Sequence, residues 1–133
     1  MIYWIFMYIQ EMTAMIEKTR AYGLAFEKAL LRQVRKNGGI SVKNGGFLTE
    51  GVKLPDLTVM LQGSHPTFVE CKAYTTKKTL NQLLIAWKSR QPKQYKAFML
   101  LAKTCEGSVF LAYKTQEDKG IIDLCQIANY ENS

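Results

Sequence analysis

Apolar residues first recur along the chain at helical spacing: Leu24, Leu30, Leu31 and Val34 fall on one stripe of a segment from about Thr19 to Lys36, which predicts an amphipathic helix. Asn37-Gly38-Gly39 would stop it. Glu27 shares that stripe, because 27, 30, 31 and 34 follow the i, i+3, i+4, i+7 pattern. An unpaired buried carboxylate is unfavourable, so Glu27 is expected to meet a cation, a hydrogen-bond donor or a solvated cleft. The period then shortens. Ile40 to Lys43, Leu57 to Leu61 and Thr67 to Ala73 have strand character, separated by Asn44-Gly45-Gly46 and Gly63-Ser64-His65-Pro66. From about Thr79 to Lys88, Leu80, Leu83, Leu84 and Trp87 return to helical spacing, with Pro92 shortly beyond. Ala97 to Ala102 and Ser108 to Tyr113 read as two further strands, and Gly120 to Tyr130 fits either type. Helix, three strands, helix, strand, strand predicts an α/β class with a mixed sheet and helices packed against it.

A chain of 133 residues with 47% apolar content suits a single globular domain with one core, and excludes a disordered chain. Residues 1 to 9 form the only continuous apolar run. It has about half the length needed to span a bilayer and lacks the basic start of a secretory signal, so neither anchor nor export signal is expected. Left bare it would be a large exposed patch, so residues 1–19 are read as a segment outside the core, covered by a partner in a homodimer. The competing reading is extra codons before a start at Met12 or Met15. Cys71, Cys105 and Cys125 are odd in number and form no CxxC pair, which suggests neither a disulfide framework nor a zinc site and fits a reducing cytoplasm. The net charge is +7. Between Ala73 and Cys105 stand Lys77, Lys78, Lys88, Arg90, Lys93, Lys96 and Lys103 with no carboxylate. Such a one-signed stretch attracts a polyanion, of which nucleic acid is the commonest in a cytoplasm. A lysine-rich solvated face is the bland alternative.

The chemistry-bearing residues lie in Thr67 to Ala73. The two-residue period of a strand sends Phe68, Glu70 and Lys72 to one side and Val69, Cys71 and Ala73 to the other. An acid and a lysine side by side in an apolar strand are unfavourable to bury unless they face a shared cleft, although a plain ion pair on an edge strand would look the same. Asp56, in Leu54-Pro55-Asp56-Leu57, opens the preceding strand, and the turn after that strand would bring it back beside Glu70. Converging carboxylates raise each other's pKa unless a cation neutralises them, and Mg²⁺, which needs only one or two carboxylates and keeps several waters, suits the pair. The three side chains are expected to meet in a solvent-reachable notch.

Pro55-Asp56, thirteen intervening residues and then Glu70-Cys71-Lys72 resemble the PD-(D/E)XK nuclease superfamily, over roughly residues 20–113. The resemblance implies a restriction-endonuclease-like αβββαβ core. It also implies a divalent-metal-dependent endodeoxyribonuclease, with Mg²⁺ as cofactor and Mn²⁺ able to substitute. Asp56, Glu70 and the backbone carbonyl of Cys71 would bind the metal, and Lys72 would orient the attacking water and stabilise developing charge. Glu27 matches an acid on the first helix that completes the metal site or holds a second ion, and Gln82 matches a glutamine in the helix after the ExK strand. Within the superfamily, Arg20, Gly23, Phe26-Glu27, Lys43, Phe68 to Lys72, Gln82 and Ala97-Phe98 are most similar to RecU-type Holliday junction resolvases of bacteria and phages. Gly51 to Leu57 resembles the stand-alone VRR nucleases. The six residues between Leu61 and Phe68 leave no room for the stalk of RecU-type enzymes. The implied partner is DNA, branched or flapped forms among it, bound through Lys43, Lys53, Lys77, Lys78, Lys88, Arg90, Lys93 and Lys96. No membrane partner and no nucleotide cofactor are expected.

Rival readings are a restriction or homing-type endonuclease on the same core, and a non-catalytic nucleic-acid-binding module in which Glu70 and Lys72 are a structural pair. His65 in its turn reads as a surface residue, Trp87 as core and Cys71 as a small buried apolar residue. Deleting residues 1 to 11 should convert a dimer to a monomer in light scattering, and an unchanged mass removes the dimer role of that segment.

Overall fold

The structure, a computed structural model, describes residues 22–131. The apolar segment 1–19 and the dimer role expected of it lie outside the described residues. No helix among the described residues is long and apolar enough to cross a membrane.

Helix α1 (Tyr22–Lys36) buries Tyr22, Phe26, Leu30 and Val34. The buried row is rotated from the expected stripe: Leu24 is exposed and Phe26 is not. The aromatic rings offer the most apolar area, so their row turns to the sheet. Gly38 ends the helix at φ +81°, and a Cβ on Gly39 would lie 2.5 Å from Leu61 Cδ2 and 2.9 Å from Val34 Cγ1. Only glycine therefore lets the chain turn this closely under the helix.

The sheet contains β1 (Ile40–Lys43), β4 (Leu57–Met60), β5 (Thr67–Ala73), β6 (Val109–Lys114) and β7 (Lys119–Asp123) in the order β1-β4-β5-β6-β7. It is mixed, because β5 and β6 run parallel and every other neighbour antiparallel. A separate hairpin, β2 (Phe47–Thr49) with β3 (Val52–Lys53), interrupts the chain between β1 and β4. The sequence predicts no element between the Asn44-Gly45-Gly46 turn and Leu57; the hairpin's strands are too short to show a period, and Val52 is recruited by the tertiary core. Parallel strands need a crossover, supplied by α2 (Leu80–Arg90) and α3 (Pro92–Thr104). Two clusters sandwich the sheet. Phe26, Leu30 and Val34 pack on Leu57, Val59, Val69 and Ala112, while Leu83, Trp87, Phe98 and Leu124 pack on Val109 and Leu111. The α/β class, the mixed sheet with flanking helices and the αβββαβ order of α1, β1, β4, β5, α2 and β6 match the expectation.

Ala97 to Ala102 is a correction: it is helix, not strand. Pro92 stands at the first turn of α3, where its missing N–H is harmless, so it starts a new helix rather than only ending the last one. Tyr95, Phe98, Met99 and Ala102 then recur at helical spacing on the buried side. The undecided tail is both types, strand β7 and then α4 (Leu124–Glu131).

Phe98 and Leu100 would share a face in a strand, yet Phe98 is 0% and Leu100 67% exposed. Phe98→Ala should therefore cost about 3–5 kcal/mol, and Leu100→Ala about 0.5 kcal/mol or less, in urea denaturation. Equal losses would restore the strand assignment.

Candidate active site

Pairing between β4 and β5 stops at Leu57 opposite Val69. Pro55, which has no N–H, precedes the next position. Beyond the last ladder pair, each strand's backbone is taken up by the other strand's carboxylate. Asp56 N–H donates to Glu70 Oε1 at 3.0 Å, and Cys71 N–H donates to Asp56 Oδ2 at 2.9 Å. Asn44 braces the same corner, donating from its amide to the Pro55 carbonyl at 2.9 Å and accepting from Thr58 at 2.9 Å. The expected meeting of Asp56 and Glu70 is thus fixed by four main-chain and side-chain groups.

Lys72, two residues along the same face of β5, places Nζ 3.2 Å from Glu70 Oε2. The ammonium also donates to Gln91 Oε1 at 2.9 Å and to Gln94 Oε1 at 3.1 Å. Gln94 Oε1 accepts a further bond from the Trp87 indole N–H at 2.6 Å, and Lys72 Nζ lies 5.3 Å from the Trp87 ring centre. Gln91, Gln94 and the polar edge of Trp87 are site residues that the sequence reading missed. Two glutamines on either side of Pro92 at the α2–α3 junction are the available signal, hidden because the sequence predicts no element between Lys88 and Ala97.

Glu70 is only 3% exposed, so the notch is nearly closed over it, and its solvent-facing side is the half-buried Asp56. Desolvation, then the neighbouring Asp56 charge, push the Glu70 carboxyl from its ordinary 4.5 up to about 8, and Lys72 only partly offsets them. Burial and the same carboxylates push the Cys71 thiol well up, which suits an inert packing residue. Cys71 packs with the α1 cluster, on the side away from Glu70 and Lys72, as expected.

Of the three surroundings expected for Glu27, it meets a cation, Lys43 Nζ at 3.3 Å. Burial raises its carboxyl, and the Asp56 charge raises it further. Among the described residues, however, no three His, Cys, Asp or Glu side chains converge as a group able to hold a metal ion. Glu27 therefore stands beside the Asp56–Glu70 pair without joining it as a third ligand. Gln82 is not brought to the carboxylates: Thr79 N–H donates to its Oε1 at 3.0 Å and its own N–H donates to Thr79 Oγ1 at 3.3 Å, closing the capping box of α2. A capping glutamine and an active-site glutamine look alike in sequence. Lys53, Lys77, Lys88, Arg90, Lys93 and Lys96 are exposed, Lys78 is half-buried, and Lys43 is committed to Glu27. His65 is exposed and Trp87 is core.

No protein-family model and no curated protein matches the chain. Among solved structures it is similar to Archaeoglobus fulgidus Hjc, a Holliday junction resolvase from an archaeal hyperthermophile, at 15% identity over 77% of each chain, with a TM-score of 0.48. A likeness that slight assigns neither residue roles nor a substrate to this chain.

The raised Glu70 carboxyl makes stability depend on pH with a definite sign. The folded protein holds a proton that the unfolded chain releases above its ordinary pKa, so stability is greatest below about pH 4.5 for this group and is lost as pH rises towards about 8. Glu27 acts in the same direction. In metal-free buffer, urea midpoints of the wild type should fall between about pH 5 and about pH 8, and Glu70→Gln should flatten that fall. Identical slopes in the two proteins would mean that Glu70 is not the titrating group.

Proposed function

We propose that this protein is a divalent-metal-dependent DNA endonuclease that hydrolyses phosphodiester bonds, with branched or flapped DNA as its substrate class. The observation that carries the reading is the packing of Asp56, Glu70 and Lys72 at one corner of the β4–β5 ladder, with Glu70 carrying a pKa near 8. Perturbed carboxylates of this kind gather at functional sites.

The residues present fit a hard cation. Asp56 and Glu70 are neighbouring oxygen donors, and burial of Glu70, then the Asp56 charge, raise its carboxyl to about 8, a cost that a hard divalent cation would offset. Asp56, Glu70 and the Cys71 carbonyl would hold Mg²⁺ or Mn²⁺, while Glu27 stays paired with Lys43 beside them. When bound, such an ion lowers the pKa of a water and offsets phosphoryl charge. The side chains supply the rest. Lys72, fixed by Gln91 and Gln94, presents a positive charge that need not reorganise as charge builds on the transferring phosphoryl group. Trp87 fills the space behind it and excludes water. Lys77, Lys78, Lys88, Arg90, Lys93 and Lys96, with Lys53 on the hairpin, would hold flanking phosphates, which sets register without reading sequence.

A second reading, a non-catalytic nucleic-acid-binding module, is favoured by one observation, the near-complete burial of Glu70 beside Lys72. The two separate in a cleavage panel of linear, single-stranded, flapped and four-way DNA with Mg²⁺ or Mn²⁺. Glu70→Ala and Lys72→Ala should each reduce cleavage by about 100-fold or more. Binding in EDTA without turnover under either metal would leave the binding module, and a restriction or homing-type enzyme would give products of defined sequence. Metal affinity should also be tighter at about pH 9 than at about pH 6 in calorimetry, because the ion displaces the Glu70 proton. Equal affinity at the two pH values would remove Glu70 from the ligand set.

A further inference from the structure

Between α3 and α4 lies a cleft of about 490 Å³, outside the Asp56–Glu70–Lys72 cluster. Its volume falls within the roughly 300–1,000 Å³ of clefts that hold small organic groups. Tyr95, Met99 and Ala128 form a buried floor, and exposed Leu100 forms a lip. The one carboxylate that lines it, Glu131, accepts from the Tyr95 hydroxyl and pairs with Lys88 Nζ at 3.6 Å. Lys96 and Lys103 line the same cleft with no carboxylate partner among the described residues. The rim is therefore cationic over an apolar floor.

The helical spacing explains how this comes about. Lys96, Leu100 and Lys103 stand at i, i+4 and i+7 on one face of α3, so an exposed leucine is framed by lysines one turn either side. A duplex backbone would gain from the lysines and nothing from Leu100. Unpaired nucleotides would gain from both, because their bases can leave the stack against apolar side chains while their phosphates meet the lysines. The cleft and the candidate active site share the α2–α3 junction: Pro92 and Lys88 line the cleft, and Gln91, next to Pro92 in the chain, holds Lys72.

We propose that the α3–α4 cleft is a subsite for an unpaired strand, seating a base against Met99 and Leu100 with flanking phosphates on Lys96 and Lys103. It rests on the nuclease reading only for its role. The substrate class it implies is DNA with a single-stranded arm, a flap or an overhang, leading away from the cleaved bond along α3.

The test separates the two readings by measuring binding in EDTA, where cleavage plays no part. Fluorescence anisotropy would follow a labelled oligothymidylate and a blunt duplex against the wild type, Leu100→Ser, Lys103→Gln and a control, Ile40→Ser, an exposed apolar residue on the edge strand β1. Leu100→Ser should weaken the single strand about fivefold and leave the duplex and the Ile40→Ser control unchanged. Lys103→Gln should weaken the single strand and reduce the salt dependence of its binding by about 0.7 in log–log slope. Equal loss of both ligands in Leu100→Ser, or no loss of either, overturns the subsite. So does a change of mass with Leu100→Ser in light scattering, which would make the cleft a contact between copies of the chain. Loss of cleavage in Glu70→Ala with the single-strand preference intact supports both readings. Wild-type protein that binds this way and never cleaves keeps the subsite and ends the nuclease reading.

Discussion

The N–H groups of Asp56 and Cys71 lie one and two residues past the last β4–β5 ladder pair, and the carboxylates of Glu70 and Asp56 take them up across the gap. This exchange holds two carboxyl groups at one corner of the sheet. Burial, and then the Asp56 charge, let Glu70 keep its proton to about pH 8, and the proposal for the site rests on this arrangement of Asp56, Glu70 and Lys72. A sheet that simply continued its ladder would have paired these amides with carbonyls and left the carboxylates free to turn outwards.

Lys72 gives the corner its direction. Its ammonium is within reach of one carboxylate and two glutamine oxygens, so it is held on the inner side of the cluster and covered by Trp87. The wall that does this depends on the position of α2 and α3. Asp118 fixes the start of α2, accepting from Leu80 N–H at 3.1 Å and from the Tyr113 hydroxyl at 3.4 Å. Desolvation and the Asp118 charge push that hydroxyl up to about 12, so it stays a donor at any physiological pH. The capping box made by Thr79 and Gln82 secures the same helix start. A glutamine that does no chemistry thus helps to place the glutamines that hold the lysine.

Charge is divided along the crossover. The inner surface of α3 carries Tyr95, Phe98, Met99 and Ala102 into the core, while Lys93, Lys96 and Lys103 face out. The acid-free composition from Lys77 to Lys103 is therefore a surface property, and the same helices that enclose Lys72 present the basic residues around it. Leu100 breaks the pattern on the outer side, and the cleft beneath it gives that exception a use.

The sequence alone determined the α/β class, the three sheet strands before the crossover, and the side-by-side placement of Glu70 and Lys72, because alternation and helical spacing are local properties of the chain. It also required a cation, a hydrogen-bond donor or a solvated cleft for Glu27, and the tertiary structure supplies the first in Lys43. Only the tertiary structure decided which row of α1 meets the sheet and whether Ala97 to Ala102 is helix or strand. A short apolar run carries no period of its own, and Pro92 reads equally as a stop or a start. Tertiary structure likewise decided the roles of the glutamines. Gln82, Gln91 and Gln94 are alike in composition, and one caps a helix while two hold Lys72, a difference set by where the crossover brings α3 against β5.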